Sequence, residues 1–131
     1  MSSFKFSSTS LERMAGVDPR LIEIANLALK LTKFDFGIPE HGGIRTAGEQ
    51  FELFRDGKSK CDGYNKPSNH QSGLALDVYA YVNGAASWRE YHLAMVATAM
   101  LQSAAMLGYK LGWGGLWDWQ DMPHFELLED V

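Results

Sequence analysis

The stretch SWREYHLAMVATAMLQSAAMLGY, residues 87–109, restricts what this chain can fold into more than any other. Ser87 and Glu90 stand at capping-box spacing, a helical pattern of about twenty residues follows, and Gly108 supplies a stop. A helix this apolar is a central packing element, and a chain of 131 residues has room for one such core, so residues 1–131 are expected to form a single domain. No apolar run approaches the ~20 residues a membrane helix needs, so no membrane insertion is expected.

Other elements arrange themselves around that helix. In DPRLIEIANLALKLTKF, Asp18 can cap and Pro19 suits the first helical position, while Leu21, Ile24, Ala25, Ala28, Leu29 and Leu31 make one apolar face. FDFGI at 34–38 has the character of a short aromatic strand, cut off by a proline and two glycines. TAGEQFELFRDG predicts another helix, with Thr46 and Glu49 in a capping box and Gly57 as its end. After a polar stretch at 57–69, LALDVYAYV predicts one largely buried strand. YKLGW and PHFELLE complete the strands, the latter alternating His124, Glu126 and Leu128 against Phe125 and Leu127. The expected fold class is α+β: a single small domain with a mainly antiparallel sheet packed against three helices, preceded by a serine-rich start, 1–10, that looks flexible.

Charge and cysteine content narrow the function. A net charge of −4 with scattered signs offers no basic stripe for a row of phosphates, so nucleic acid is not the expected partner. Cys61, the one cysteine, has no internal partner for a disulfide and lies in a polar stretch that suits a loop cysteine better than a nucleophile. The opening residues carry no apolar block with a cleavage site, so no Sec-type leader is expected. Action outside the cytoplasm would then depend on release by other means.

The chemistry concentrates in SNHQSGLALDVYA, residues 68–80. His70 and Asp77 would point to opposite faces of a straight strand, so they converge only if the chain bends, and Gly73 is where it can. A carboxylate between Leu76 and Val78 needs a cation or donors to satisfy it. One solution is a metal, with His124 of QDMPHFEL as third ligand: two imidazoles and a carboxylate leave zinc an open fourth position, the arrangement of catalytic sites. Asp121, kept off helical geometry by Pro123, can be aimed by a turn at the zinc-held water and is the candidate general base. The competing reading makes each histidine a hydrogen-bonded structural residue. Glu126, on the His124 face of the strand, is a candidate supporting partner. His41 suits a surface loop near the site and His92 suits packing or surface. Trp113, Trp117 and Trp119 fit either a groove lining or a core.

At these residues the chain resembles a known family. SNHQSGLALDV is similar to the Ser-x-His-x-x-Gly-x-Ala-x-Asp signature of the zinc peptidases that group D-Ala-D-Ala carboxypeptidases and dipeptidases with phage L-alanyl-D-glutamate endopeptidases; Ser68, His70, Gly73, Ala75 and Asp77 all fall in place. DMPHFEL resembles the family's second motif, an acidic residue three before a histidine, and GGIRT the segment bearing its active-site arginine. The motifs keep the family's order across residues 42–127. The first 29 residues are similar to the start of phage endolysins, and Asp121 stands where the carboxypeptidases often carry glutamate, which favours the endopeptidase branch.

The resemblance implies Zn2+ held by His70, Asp77 and His124, with Asp121 as acid and base. Arg45 would be catalytic or grip a substrate carboxylate, and Ser68 would contact substrate. It implies hydrolysis of the L-alanyl-D-glutamate bond in the peptidoglycan stem peptide by a phage or prophage endolysin. Such a monomer would reside in the host cytoplasm until released to the wall. A D,D-carboxypeptidase of the same family and a non-catalytic wall-binding module are the alternatives. A two-histidine-one-carboxylate iron oxygenase is disfavoured because its carboxylate usually follows the first histidine by two positions, not seven.

Overall fold

The computed structural model describes residues 3–128. Helix α4, Glu90–Leu107, occupies the centre, and Leu93, Val96, Ala97, Met100 and Ala104 are buried along it. It packs against helix α2, Pro19–Leu31, whose Leu21, Ile24, Ala25 and Ala28 are fully buried. Asp18 caps α2 with its side chain, and α4 ends at Gly108 in the left-handed conformation, as the sequence leads one to expect. The start of α4 differs from expectation. Its N-cap is Arg89, with no side-chain cap, because Ser87 ends strand β4, Ala85–Ser87, and its hydroxyl meets the His92 imidazole Nδ1 at 2.6 Å.

Two three-stranded antiparallel sheets replace the single sheet expected. One orders β1 (Asp35–Gly37), β3 (Tyr79–Val82) and β4, the last two joined through Asn83 and Gly84, both at positive φ as a tight two-residue hairpin turn requires. The other orders β2 (Ala75–Asp77), β6 (His124–Leu127) and β5 (Leu111–Trp113). The apolar run at 74–82 is therefore two strands. The chain changes sheet at Val78, whose N–H donates to the Pro123 carbonyl at 3.0 Å. Both sheets turn apolar residues to the α2–α4 pair, with Phe36, Ala80, Leu76 and Phe125 buried. Each large side chain so buried contributes about 1.5–3 kcal/mol.

The helices number four among the described residues, one more than expected. Of the serine-rich start at 1–10, residues 1 and 2 lie outside the described residues, and helix α1, Ser8–Arg13, begins within it, capped by the Ser7 hydroxyl. Ser10 is buried, and its Oγ accepts from the Ile38 N–H at 3.1 Å. Serine propensity hides such a helix, since these side chains compete for backbone hydrogen bonds except at caps. Helix α3, Ala47–Arg55, begins with the complete Thr46/Glu49 capping box. No helix of the described residues is long and apolar enough to cross a membrane.

Candidate active site

The β2–β6 ladder builds one side of the site. Its register sets Asp77 directly opposite His124, and Glu126 lies two residues beyond His124 on the same face. Directly opposed residues have Cβ atoms ~5 Å apart, close enough for their side chains to share a ligand. His70 enters from the preceding loop. There Gln71 N–H donates to Ser68 O and Leu74 N–H to Asn69 O, both at 3.0 Å, and Gly73 at φ +78° turns the chain into β2. A Cβ on Gly73 would meet the Gly16 carbonyl oxygen at 2.9 Å, so the bend needs glycine for space as well as for backbone conformation.

Three donor atoms converge as a result. His70 Nε2 lies 3.1 Å from Asp77 Oδ1 and 3.2 Å from His124 Nδ1, and His124 Nδ1 lies 3.1 Å from Asp77 Oδ1. Ligands ~2.0–2.1 Å from one tetrahedral ion stand about 3.3 Å apart, so the triangle has the edge length a zinc-sized ion demands. Outer contacts fix which ring nitrogens face inward. His70 Nδ1–H donates to the Gly43 carbonyl at 2.9 Å and His124 Nε2–H to Glu126 Oε1 at 2.7 Å, so once the inward nitrogens give up the protons they share with Asp77, their lone pairs face the centre of the triangle. In the metal-free molecule protons shared with Asp77 satisfy this cluster, and with those protons displaced His70, Asp77 and His124 can hold a metal ion.

The electrostatics agree. Burial alone raises the Asp77 carboxyl, but the charge of His70 and the hydrogen bonds from both imidazoles outweigh it and hold the group well below the usual carboxylate range. Burial alone lowers His124, yet hydrogen bonds to Asp77 and Glu126 and the charges of Asp77 and Asp121 push it up to about 9. The bond from His124 likewise lowers Glu126. Asp121 moves the other way: burial first and the Asp77 charge second raise its carboxyl, against the cations His124, His70 and Arg45. A carboxylate raised in this way is a stronger base than a solvated one.

These residues open onto a cleft of about 480 Å³. Arg45, Ser68, His70, Asp77, Asp121 and His124 all line it, so every site residue expected from the sequence is brought to one place. Asp121 sits in the turn before β6, its carbonyl accepting from His124 N–H at 3.1 Å and its own N–H donating to Gly114 O at 2.9 Å. Arg45 is tied down on three sides: Nε–H donates to His41 O at 2.7 Å, Nη1 to Gln50 Oε1 at 3.0 Å and Nη2 to Asp77 Oδ2 at 3.1 Å. The guanidinium thus holds the Asp77 carboxylate by Oδ2 and leaves Oδ1 to the two imidazoles. Ser68 Oγ accepts from His70 N–H at 3.2 Å and so shapes the loop that presents His70.

The remaining candidates sort themselves by contact. Trp117 and Trp119 line the cleft, Trp117 with its ring centroid 5.1 Å from that of His124, whereas Trp113 packs on the core and donates to Met122 O at 2.7 Å. His41 is exposed and pairs with Glu49, contributing to the site only its carbonyl. His92 packs on Phe34 with ring centroids 4.7 Å apart. Cys61 is a loop residue at the cleft wall. Sequence reasoning missed Gly43, which acts through a backbone carbonyl and leaves no side-chain signal. It also missed Gln50, a polar residue on the inward face of α3.

The comparisons with known proteins agree with this geometry. The family model described as phage L-alanyl-D-glutamate peptidase matches residues 1–130. The L-alanyl-D-glutamate peptidase of Escherichia phage T5 is 34% identical over 126 residues, covering 95% of this chain and 90% of that protein. Among solved structures, the Serratia marcescens L-Ala D-Glu endopeptidase ChiX superposes with a TM-score of 0.84 at 34% identity, over 95% of this chain and 90% of its own. With a model matched along nearly its whole length and a relative above 30% identity, the chain belongs to the phage L-alanyl-D-glutamate peptidase family.

Proposed function

We propose that the protein is a zinc-dependent peptidoglycan endopeptidase that hydrolyses the L-alanyl-D-glutamate bond of the stem peptide, and that it serves a phage or prophage as its endolysin. The observation that carries the reading is the triangle of His70 Nε2, Asp77 Oδ1 and His124 Nδ1 at the floor of a cleft that Asp121 also lines, in a chain of this family. Zinc, when bound, supplies Lewis acidity toward a peptide carbonyl and a water-derived nucleophile near neutral pH.

The chain's own residues do the rest. His70 and His124 are oriented by Gly43 O and Glu126 and would be neutral once zinc displaces their inward protons, and Asp77 is held by Arg45. Asp121, its carboxyl raised by burial, takes a proton from the attacking water and returns it to the amine of the departing D-glutamate. Of the five N–H donors of Arg45, three are engaged inside the protein; the other two are those a substrate carboxylate or developing oxyanion would use. The Ser68 hydroxyl keeps its proton for a substrate oxygen while its lone pair serves His70. A cleft of about 480 Å³ accommodates a short peptide. The protein acts as a monomer, staying in the host cytoplasm until it is released to the wall.

Mass spectrometry of fragments from purified peptidoglycan tests this reading. New L-alanine C-termini and D-glutamate N-termini, lost on chelation and restored by zinc, are expected. Release of terminal D-alanine alone would move the activity to carboxypeptidase, and walls left intact by the zinc-loaded protein would refute a peptidase.

A further inference from the structure

We infer that Gln50 is a positioning residue that ties the metal-binding floor of the cleft to its substrate-facing wall. Gln50 is fully buried, the one buried residue of α3, and each end of its amide serves a different part of the site. Its Oε1 accepts from Arg45 Nη1 at 3.0 Å, and Arg45 Nη2 in turn donates to the ligating carboxylate of Asp77 at 3.1 Å. Its Nε2 donates to Ser59 Oγ and to the Cys61 carbonyl, both at 2.8 Å. The orientation is settled by chemistry: a guanidinium can only donate and a carbonyl can only accept, so the amide fits one way round.

The segment that Nε2 holds is part of the cleft. Lys58, Ser59, Lys60 and Cys61 all line it, and the Cys61 N–H donates to Ser59 Oγ at 3.2 Å, so the loop turns on the hydroxyl that Gln50 grips. Lys58 and Lys60 bring positive charge to that wall, and Lys60 Nζ stands 4.9 Å from the Trp119 ring centroid. The stem peptide around an L-alanyl-D-glutamate bond carries carboxylates, which a wall of this charge suits. One uncharged side chain therefore sets the pose of Asp77 through Arg45 and the pose of the lysine-bearing wall directly. Among the common side chains only glutamine and asparagine carry an acceptor and two donors on one rigid amide, and asparagine is a methylene shorter.

The inference rests on the zinc endopeptidase reading, and two variants separate its arms. Gln50→Leu removes both arms: the zinc dissociation constant, by competition with a chromophoric chelator, should rise ~10-fold or more, and KM on a soluble stem peptide should rise as well. Gln50→Glu keeps the oxygen that Arg45 uses and loses the N–H donors, so zinc should bind as tightly as in the native protein while KM rises as in Gln50→Leu. A role confined to stability would lower the melting temperature of both variants and leave KM and zinc affinity native at 25 °C; that result overturns the inference, as does equal weakening of zinc in the two. If Gln50→Leu does not fold, Ser59→Ala beside Gln50→Glu decides: raised KM with native zinc affinity in both supports the wall arm, and native KM in both overturns it. Should the native protein bind zinc but leave the stem peptide uncut, the endopeptidase reading fails, while the contrast in zinc affinity between Gln50→Leu and Gln50→Glu still decides for or against the strut.

Discussion

Removing the carboxylate behind His124 should weaken zinc in two graded steps. His124 Nε2–H donates to Glu126 Oε1 at 2.7 Å, with the two side chains 9% and 21% exposed, so water cannot easily replace either partner. Glu126→Gln keeps an acceptor in place but removes its charge. The difference between a charge-assisted and a neutral hydrogen bond is roughly 1 kcal/mol, or about a 5-fold rise in the dissociation constant. Glu126→Ala leaves a buried imidazole N–H with no acceptor and frees the ring to rotate. An unsatisfied donor of this kind costs about 2–3 kcal/mol, which corresponds to a ~30- to 150-fold loss, at and just above the upper part of the range found for the outer partners of metal-bound histidines. Competition with a chelator of known affinity, with far-ultraviolet circular dichroism to establish that the fold is intact, measures both steps. A Glu126→Ala protein that binds zinc within twofold of native would refute the argument that this contact orients His124. A Gln variant weaker than the Ala variant would refute the ordering.

Three further outcomes follow from the same geometry. Asp121→Asn should retain full zinc occupancy while turnover drops by ~10²–10⁴-fold, the contribution of a positioned general base; a variant that keeps a tenth of native turnover removes Asp121 from that role. Because His124 is pushed up to about 9, a metal-free molecule at pH 7.5 carries a proton there that zinc must displace, so titration calorimetry in buffers of different ionisation enthalpy should report close to one proton released. The raised value also means that His124 stabilises the metal-free fold fully below its ordinary value near 6.5 and loses that contribution as pH rises through about 9. Denaturant midpoints of the metal-free protein that stay level from pH 6 to 9.5 would contradict this. Gly73→Ala forces a side chain onto φ +78° and a Cβ to 2.9 Å from the Gly16 carbonyl oxygen, which should destabilise the fold by about 1–3 kcal/mol. An unchanged urea midpoint would show that the bend does not need glycine.

The site was far more legible in the sequence than the sheets that carry it, and the reason is physical. A group able to hold a metal requires particular atoms, so His70, Asp77 and His124, which can hold one, announce themselves by residue type, and Gly73 by the bend that the His70–Asp77 spacing demands. Helices α2 and α3 were equally readable, because Asp18 before Pro19 and the Thr46/Glu49 pair are local signals for local structure. The break at Val78 has no such signal: LALDVYAYV is apolar and β-prone throughout. What divides it is a partner more than forty residues away, the Pro123 carbonyl that takes the Val78 N–H as β2 yields to β3. Ser87 failed as a cap for the same kind of reason, since pairing with Ala80 draws it into β4 and leaves Arg89 to start the helix. Arg45 and Gln50 lie between these extremes. The resemblance singled out the arginine, but that it grips Asp77 from behind, and that a buried amide grips it in turn, depends on α3 being laid across the loop before β2. Supporting residues of this kind act through geometry that three elements create together, so a single chain read in order shows the ligands and conceals what aims them.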